Sequence, residues 1–427
     1  MPEFPRVLKL LLPILAIALL FPNAGLAADP PKALVCVSAD HGELKFLLRG
    51  VDGETPGRAR AGGRHKAEMT LAGRGPDFQS PRTVHRIESE FLFALCNPGS
   101  EKALKREVET MGLGWRLSYQ RRGFVTFKSD APFTLDALAV DLALARRCCL
   151  SLGKSATREE ATKRVAAAAK IHHARFFERK LQGVPCVGRP KTGELVGTVV
   201  ELGPDEFWSG LHRHTPLLSP DPAGDSGIEM PGESPSRAWL KLEEATRFFD
   251  LEFGPGEIAV EVGCAPGGVV LALLRRGVSV VGVDPAKMAE VVLASAIANR
   301  QDAPAGRPWF FHSRKPAALA SKRDLGHGVS WFMSDMNQSP EVVLKECARF
   351  GRMCPDIRGV LITLKLTDLL QIEEKPRWFA ALAALGFTTI RLQQLAVHHK
   401  ELALLATREV AKGAETSSRQ RPKKHAG

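Results

Sequence analysis

Residues 260–268 read Val-Glu-Val-Gly-Cys-Ala-Pro-Gly-Gly, and a second apolar run closes on Asp284. The run 258–262 is short and apolar except for Glu261, the pattern of a strand covered on both faces. Gly263, Cys264, Ala265, Pro266, Gly267 and Gly268 then make a turn of mostly small residues, followed by a helical pattern at 269–276. Small residues let the backbone approach a ligand closely, and a carboxylate at the end of the next strand can bind ribose hydroxyls. The spacing from the turn to Asp284 suits an adenosine-containing cofactor. Ala265 stands where a full Gly-x-Gly-x-x-Gly pattern would have its middle glycine. The plainer reading of the same residues is a glycine turn in an ordinary α/β domain.

Four ionisable residues stand in or at the ends of the neighbouring elements. Lys241 lies in a helical stretch just before the first of these strands, Asp335 follows the apolar run 329–333, Lys365 closes the run that begins at 359, and Glu401 precedes the run 402–406. Ligands of an open parallel sheet bind beyond the C-terminal ends of its strands. Each charge alone is more often a solvated side chain than a catalyst. A lysine after one buried strand and an aspartate after its neighbour would meet at the ligand.

The elements that must position these groups alternate from residue 236 onward. Strands are predicted at 258–262, 278–283, 309–311, 329–333, 359–363, 388–392 and 402–406, and helices at 238–249, 269–276, 286–298, 340–350 and 375–385. This is an α/β, Rossmann-like domain over 236–410 with a seven-stranded mixed sheet. Upstream, a strand at 91–96, a turn at 97–99, a helix at 100–111, strands at 115–120 and 123–128 and a helix at 134–148 predict a smaller α+β domain over 90–200. A basic, Ala-rich helix at 159–180 carries Lys163, Arg164, Lys170, Arg175, Arg179 and Lys180; it is either an RNA-facing surface or a solvated face. Residues 201–235 read as a connector, rich in Pro, Gly and Ser from 216, and 411–427 as a basic disordered tail.

The chain has 427 residues and a formal net charge of +12, which suits a polyanionic partner, although a basic surface also serves solubility. Its eight cysteines are scattered without a Cys-x-x-Cys pair, so neither a disulfide framework nor a zinc site is expected, and Cys148 and Cys149 read as core thiols. His172-His173 and His212-x-His214 lack ligand companions at useful spacing and read as surface or core histidines. Residues 1–28 have the form of a secretory signal, with Arg6 and Lys9 ahead of an apolar stretch interrupted by Pro13. Residues 29–89 include a Gly- and Arg-rich part that is poor in apolar residues. Two readings stand: a start further downstream, near Met69, for a cytoplasmic protein, or a genuine leader on an exported or membrane-tethered one.

Pro235-Ser-Arg-Ala-Trp-Leu-Lys-Leu-Glu-Glu-Ala245, Gly263-Cys-Ala-Pro-Gly-Gly268, Ser330-Trp-Phe-Met-Ser-Asp-Met336 and Leu361-Ile-Thr-Leu-Lys-Leu366 together resemble the FtsJ-like RNA 2′-O-ribose methyltransferases, and within them the RlmM type. Phe93-Ala-Leu-Cys-Asn-Pro-Gly-Ser-Glu-Lys102 is similar to the start of that family's THUMP-like RNA-binding domain. The resemblance covers about residues 90–410. It implies a class I methyltransferase fold, S-adenosylmethionine (SAM) as cofactor, and as substrate a cytidine ribose of large-subunit (23S) ribosomal RNA. It also implies that Lys241, Asp335, Lys365 and Glu401 form a catalytic tetrad. In that scheme Lys365, once neutral, removes the hydroxyl proton, Asp335 orients Lys365, Lys241 holds the ribose or a phosphate, and Glu401 orients Lys241 or the hydroxyl. SAM contacts fall to Glu261, Gly263, Cys264, Ala265, Pro266, Gly267, Gly268, Asp284 and Asp335. The chemistry requires no metal, because a sulfonium leaves unaided. Phe311-His-Ser-Arg314 departs from the pattern: an acid is expected there near the adenine, and Ser313 stands in its place. Rival readings are an inactive RNA-binding relative, and a methyltransferase of a small molecule or a protein.

Overall fold

The computed structural model describes residues 87–172 and 189–408, together with the two-residue strands Leu34–Val35 and Arg175–Phe176. The leader, most of the Gly/Arg-rich segment, the possible start at Met69 and the basic tail lie outside the described residues. Among the described residues no helix is long and apolar enough to cross a membrane.

The first part of the chain builds one mixed sheet. Its strands are β1 (Leu34–Val35), β2 (Glu88–Leu95), β3 (Arg116–Arg121), β4 (Phe124–Thr134), β5 (Arg147–Ser155), β6 (Arg175–Phe176), β7 (Leu195–Gly203) and β8 (Glu206–Arg213). They run in the order β1-β7-β8-β5-β2-β4-β3, with β6 also on β7. Helices α1 (Glu101–Thr110) and α2 (Arg158–His172) pack against it; Ala103, Leu104, Val108, Ala161 and Val165 join the same apolar core as Leu92, Val125 and Phe127. The sheet curls until Tyr119 on β3 stacks on Trp208 of β8 and hydrogen-bonds Glu206.

Three expectations are corrected here. Residues 134–148 are not a helix: β4 runs to Thr134, a short 3-10 turn spans Asp136–Leu138, and β5 begins at Arg147. Leu135, Leu138 and Leu142 have helical spacing and are buried, but the buried carboxylate of Glu107 accepts Ala143 N (2.7 Å) and Leu144 N (3.0 Å) and fixes a non-helical path. The sheet also extends past residue 200, since β8 lies inside the segment read as connector. The basic helix ends at His172, and Arg175 belongs to β6; Arg179 and Lys180 lie outside the described residues. Cys148, Cys149 and both His212 and His214 are buried, as core groups.

The second part is a seven-stranded sheet in the order β11-β10-β9-β12-β13-β15-β14, parallel except where β15 pairs antiparallel with β13 and β14. Its strands are β9 (Ile258–Val262), β10 (Ser279–Val283), β11 (Phe310–Ser313), β12 (Val329–Ser334), β13 (Gly359–Lys365), β14 (Thr389–Gln393) and β15 (Glu401–Thr407). Between them lie α4 (Gly268–Arg275), α5 (Glu290–Leu293), α6 (Lys322–Leu325), α7 (Pro340–Met353) and α8 (Lys375–Ala383), while α3 (Ala238–Phe249) precedes β9. The expected helix at 286–298 shrinks to α5, because Ser295 O and Ile297 N bond to Phe310 at the sheet edge instead of continuing a helix.

The two sheets share buried polar contacts. Gln394 N donates to Ala143 O (2.7 Å), Gln393 Nε2 to Ala145 O (3.2 Å), and Lys375 Nζ lies 3.5 Å from Glu107. Burial pushes the Glu107 carboxyl up, opposed by Lys375 and by the two amides it accepts. Replacing Glu107 by Ala strands those two amides, while Lys375 keeps Asp141 as a partner. Urea unfolding should register a loss of about 2–4 kcal/mol, with a smaller loss for Glu107→Gln, which keeps an acceptor; an unchanged midpoint in both variants would show that this carboxylate does not hold the segment.

Candidate active site

The C-terminal ends of β9, β10, β12 and β13 lie side by side, and the turn after β9 opens there. Gly263 (φ +78°) and Gly267 (φ +114°) adopt a backbone that L side chains resist. A Cβ on Gly263 would lie 2.8 Å from Met336 Cγ, and one on Gly267 would lie 2.7 Å from Val292 Cγ2. A Cβ on Gly268 would meet Ser236 Oγ and lie 2.8 Å from Trp239 N, so this glycine lets α4 dock against the start of α3. Ala265-Pro266 is a cis peptide. Cys264 turns its thiol inward, 3.8 Å from Met288 Sδ, and offers a ligand only its backbone. Gly263, Ala265 and Pro266 keep exposure on the rim.

Asp284 closes β10 beside this turn. Its Oδ2 accepts Ala265 N (3.1 Å) and its Oδ1 accepts Ala286 N (2.8 Å), so one carboxylate ties the turn to the next loop and keeps a lone pair on each oxygen. Glu261 lies deeper, 1% exposed, with Oε2 lacking a hydrogen-bond partner. Burial, then the neighbouring carboxylates Asp335 and Asp284, raise its pKa well above the usual carboxylate range. Rather than standing on the rim, it lines a cavity with Lys241, Ser334, Asp335 and His398.

The other predicted residues converge. Lys241 Nζ donates to Asp335 Oδ1 (3.0 Å) and Oδ2 (3.3 Å) and to Glu401 Oε1 (2.8 Å). Lys365 Nζ lies 3.3 Å from Asp335 Oδ1 and 3.9 Å from Glu401 Oε1. Two ammonium groups and two carboxylates thus alternate in one half-buried cluster. Glu401 is the first residue of β15 and the register partner of Lys365 at the end of β13. Lys241 arrives from α3, whose Glu244 accepts Ala396 N (3.0 Å) and Val397 N (2.9 Å) and so fixes the approach to β15. Burial raises the Glu244 carboxyl to about 7, against the pull of those two amides.

Two residues here escaped the sequence reading. Asp324, on α6, brings a carboxylate next to Ser313, after β11, where the sequence lacks an acid: it accepts Ser313 Oγ (3.3 Å) and Lys315 Nζ (2.8 Å). Burial opposes its ionisation, yet bonds from Lys315 and Ser321 pull it down to about 2. The Ser321-x-x-Asp324 capping box was the sequence signal for its position. His398 is 2% exposed, its Nδ1 accepts Leu395 N (3.3 Å), and its Nε2 has no partner. Burial, and then the cations of Lys241, His399, Lys365 and Arg237, push it down to about 3, so the ring is neutral. No spacing rule pointed to it.

Arranged in this way, an open rim of backbone and the Asp284 carboxylate lie at the same strand ends as two lysines paired with two carboxylates. Among the described residues no group of His, Cys, Asp and Glu is arranged to hold a metal ion. Residues 235–346 match the family model described as FtsJ-like methyltransferase. The chain is 28% identical over 294 residues to a protein of Azotobacter vinelandii named ribosomal RNA large subunit methyltransferase M, covering 65% of this chain and 72% of that one. A protein of the same name from Laribacter hongkongensis is 27% identical over 359 residues, covering 74% of this chain and 96% of the relative. Another, from Ectopseudomonas mendocina, is 34% identical over 125 residues, covering 28% and 31%.

The docking of α4 on α3 rests on Gly268. A Gly268→Ala chain should lose about 1–3 kcal/mol by overpacking, read by thermal or urea unfolding; unchanged stability would mean that the two helices can part without cost.

Proposed function

The chain carries an FtsJ-like methyltransferase domain over residues 235–346, and from that premise we propose that it transfers the methyl group of SAM to a ribose 2′-hydroxyl, on a cytidine of large-subunit (23S) ribosomal RNA. The observation that carries this reading is the alternating cluster of Lys241, Asp335, Lys365 and Glu401, with nitrogen–oxygen separations of 2.8–3.3 Å for its three closest ion pairs, at the strand ends next to the glycine turn. The names borne by the relatives point to ribosomal RNA, and the resemblance points to the cytidine ribose.

The donor set fits the cofactor. Asp284 has free lone pairs for ribose hydroxyls, the exposed rim of Gly263, Ala265 and Pro266 leaves the backbone open to close approach, and Ser313 with Asp324 stands on the adenine side. SAM supplies a methyl carbon on a positively charged sulfur, which takes the bonding electron pair when the methyl leaves. A 2′-hydroxyl is a weak nucleophile, so its proton must be removed as the oxygen attacks. Lys365 first gives up its own proton to solvent, and as the neutral amine takes the hydroxyl proton at Nζ. Its side chain is the more exposed of the two lysines, 23% against 13% for Lys241, and its ion pair with Asp335, at 3.3 Å, is longer than those of Lys241, at 3.0 and 2.8 Å. Asp335 orients Lys365 and, with Glu401, holds Lys241 as a fixed cation toward the ribose or an adjacent phosphate. In-line placement of oxygen, carbon and sulfur supplies much of the rate.

The first sheet then serves as the THUMP-like RNA-binding unit. Arg121, Lys128 and Lys154 stand about half exposed there, at 53, 46 and 49%. Such cations favour phosphate contacts, which fix position without reading sequence. A target ribose is reached in single-stranded or locally opened RNA. An RNA substrate and SAM suit the cytoplasmic of the two readings of the leader.

With purified protein, SAM and large-subunit ribosomal RNA, Lys365→Ala and Asp335→Ala should each abolish methyl transfer while calorimetry still detects SAM binding. Near-normal turnover in either variant rejects the tetrad. Asp284→Ala should instead weaken SAM affinity, and an unchanged dissociation constant would move the ribose contact elsewhere. RNA affinity should fall steeply between low and physiological salt, and a flat response would remove the phosphate contacts from the first sheet.

A further inference from the structure

The segment 394–400, between β14 and β15, has no regular structure, yet it delivers Glu401 to Lys241 and His398 to the cavity beneath. Its backbone is held from two sides. From α3, Glu244 accepts Ala396 N and Val397 N, and Arg237, just before that helix, donates from Nη2 to Val397 O (3.1 Å). From the first sheet, the turn between β2 and α1 reaches across almost 300 residues of sequence. Asn97 Nδ2 donates to Leu395 O (2.8 Å) and to His398 O (2.7 Å). Ser100 Oγ donates to Gln394 Oε1 (2.7 Å), and Gln394 Nε2 donates to His399 O (2.6 Å). Asn97, Ser100 and Gln394 are 5, 1 and 0% exposed, so water cannot readily take over these bonds.

We propose that Asn97 is a positioning residue for methyl transfer: its amide clamps two carbonyls of the 394–400 segment and thereby fixes where Glu401 meets Lys241. This rests on the methyltransferase reading above. Only an amide serves here, because both hydrogens of Nδ2 are spent on carbonyl oxygens; a carboxylate in the same shape would face those oxygens with no proton to give. An irregular segment without such bonds opens locally at low cost, and displacement of a catalytic group by about 1 Å can cost a hundredfold in rate. The first sheet, which carries the proposed RNA contacts, is through this clamp also part of the framework of the tetrad.

Asn97→Ala and the isosteric Asn97→Asp, made in the full chain, test the clamp. Single-turnover methyl transfer at saturating SAM and RNA should fall roughly tenfold or more in both, more in Asn97→Asp, with SAM and RNA dissociation constants within about twofold of wild type. Hydrogen exchange of residues 394–401 should speed up in both, ahead of any change elsewhere in the second sheet. An unchanged single-turnover rate in folded Asn97→Asp overturns the proposal, as does unchanged exchange of 394–401. Equal losses in rate and in SAM affinity also overturn it, since they mark a general structural defect. Exchange needs no substrate, so a wild-type protein that methylates no ribosomal RNA would reject the function and leave the clamp still decided by exchange. Should the Asn97 variants fail to fold, Ser100→Ala removes a single bond of the same clamp and should move the same two readouts in the same direction; no movement overturns the proposal.

Discussion

Lys241 shares its ammonium between Asp335 and Glu401, and much of the molecule is arranged so that this sharing occurs. The three groups come from a helix before the second sheet, the end of a parallel strand and the start of an antiparallel one. Lys365 adds the fourth charge, which leaves the cluster formally neutral. Ions that are mostly out of water repay their desolvation only when well paired. Removing one member leaves a charge of opposite sign uncompensated, so the cluster stands or falls as a unit. The two lysines share the same carboxylate oxygens: Asp335 Oδ1 lies 3.0 Å from Lys241 and 3.3 Å from Lys365, and Glu401 Oε1 lies 2.8 and 3.9 Å from them.

Strand direction makes the cluster possible. A parallel β15 would bring its first residue to the opposite end of the sheet from Lys365. Because β15 runs antiparallel to β13, its first residue, Glu401, pairs in register with the last residue of β13, Lys365. The segment that turns the chain into β15 must therefore be held accurately. Glu244 and Asn97 hold it from opposite sides through backbone groups rather than side-chain identities.

The cofactor half of the site depends on close packing more than on charge. Gly263, Gly267 and Gly268 are each crowded by the protein itself, by Met336, Val292 and Trp239. The turn is thin because its neighbours press on it, and what remains exposed is a short rim of backbone next to Asp284. Asp284 both braces that rim through Ala265 N and presents its free lone pairs outward. Glu261, two residues before Gly263, is by contrast sealed in, where burial and the neighbouring carboxylates oppose its ionisation, which gives it a different character from the rim residues with which the sequence groups it.

The sequence by itself determined the second sheet and the chemistry it carries. All seven of its strands were legible to within about two residues, because buried strands leave apolar runs bounded by Gly, Asp and Pro. Asp335 and Lys365 were legible because strand ends are where an open sheet binds ligands, and Lys241 and Glu401 were grouped with them by the family resemblance. Tertiary structure decided the rest. Residues 134–148 carry leucines at helical spacing, but Glu107 gives their amides a better partner than a helix would. Residues 286–298 are Ala-rich, yet Ser295 and Ile297 bond to the edge of β11. Asn97 acts on groups far along the chain, at Leu395 and His398, and Asp324 on Ser313, 11 residues before it across a loop. Periodicity reports the local environment of a residue, and it cannot report which distant donor or acceptor will satisfy a buried backbone group. That choice is made only when the elements pack, within each sheet and, for Asn97, between the two.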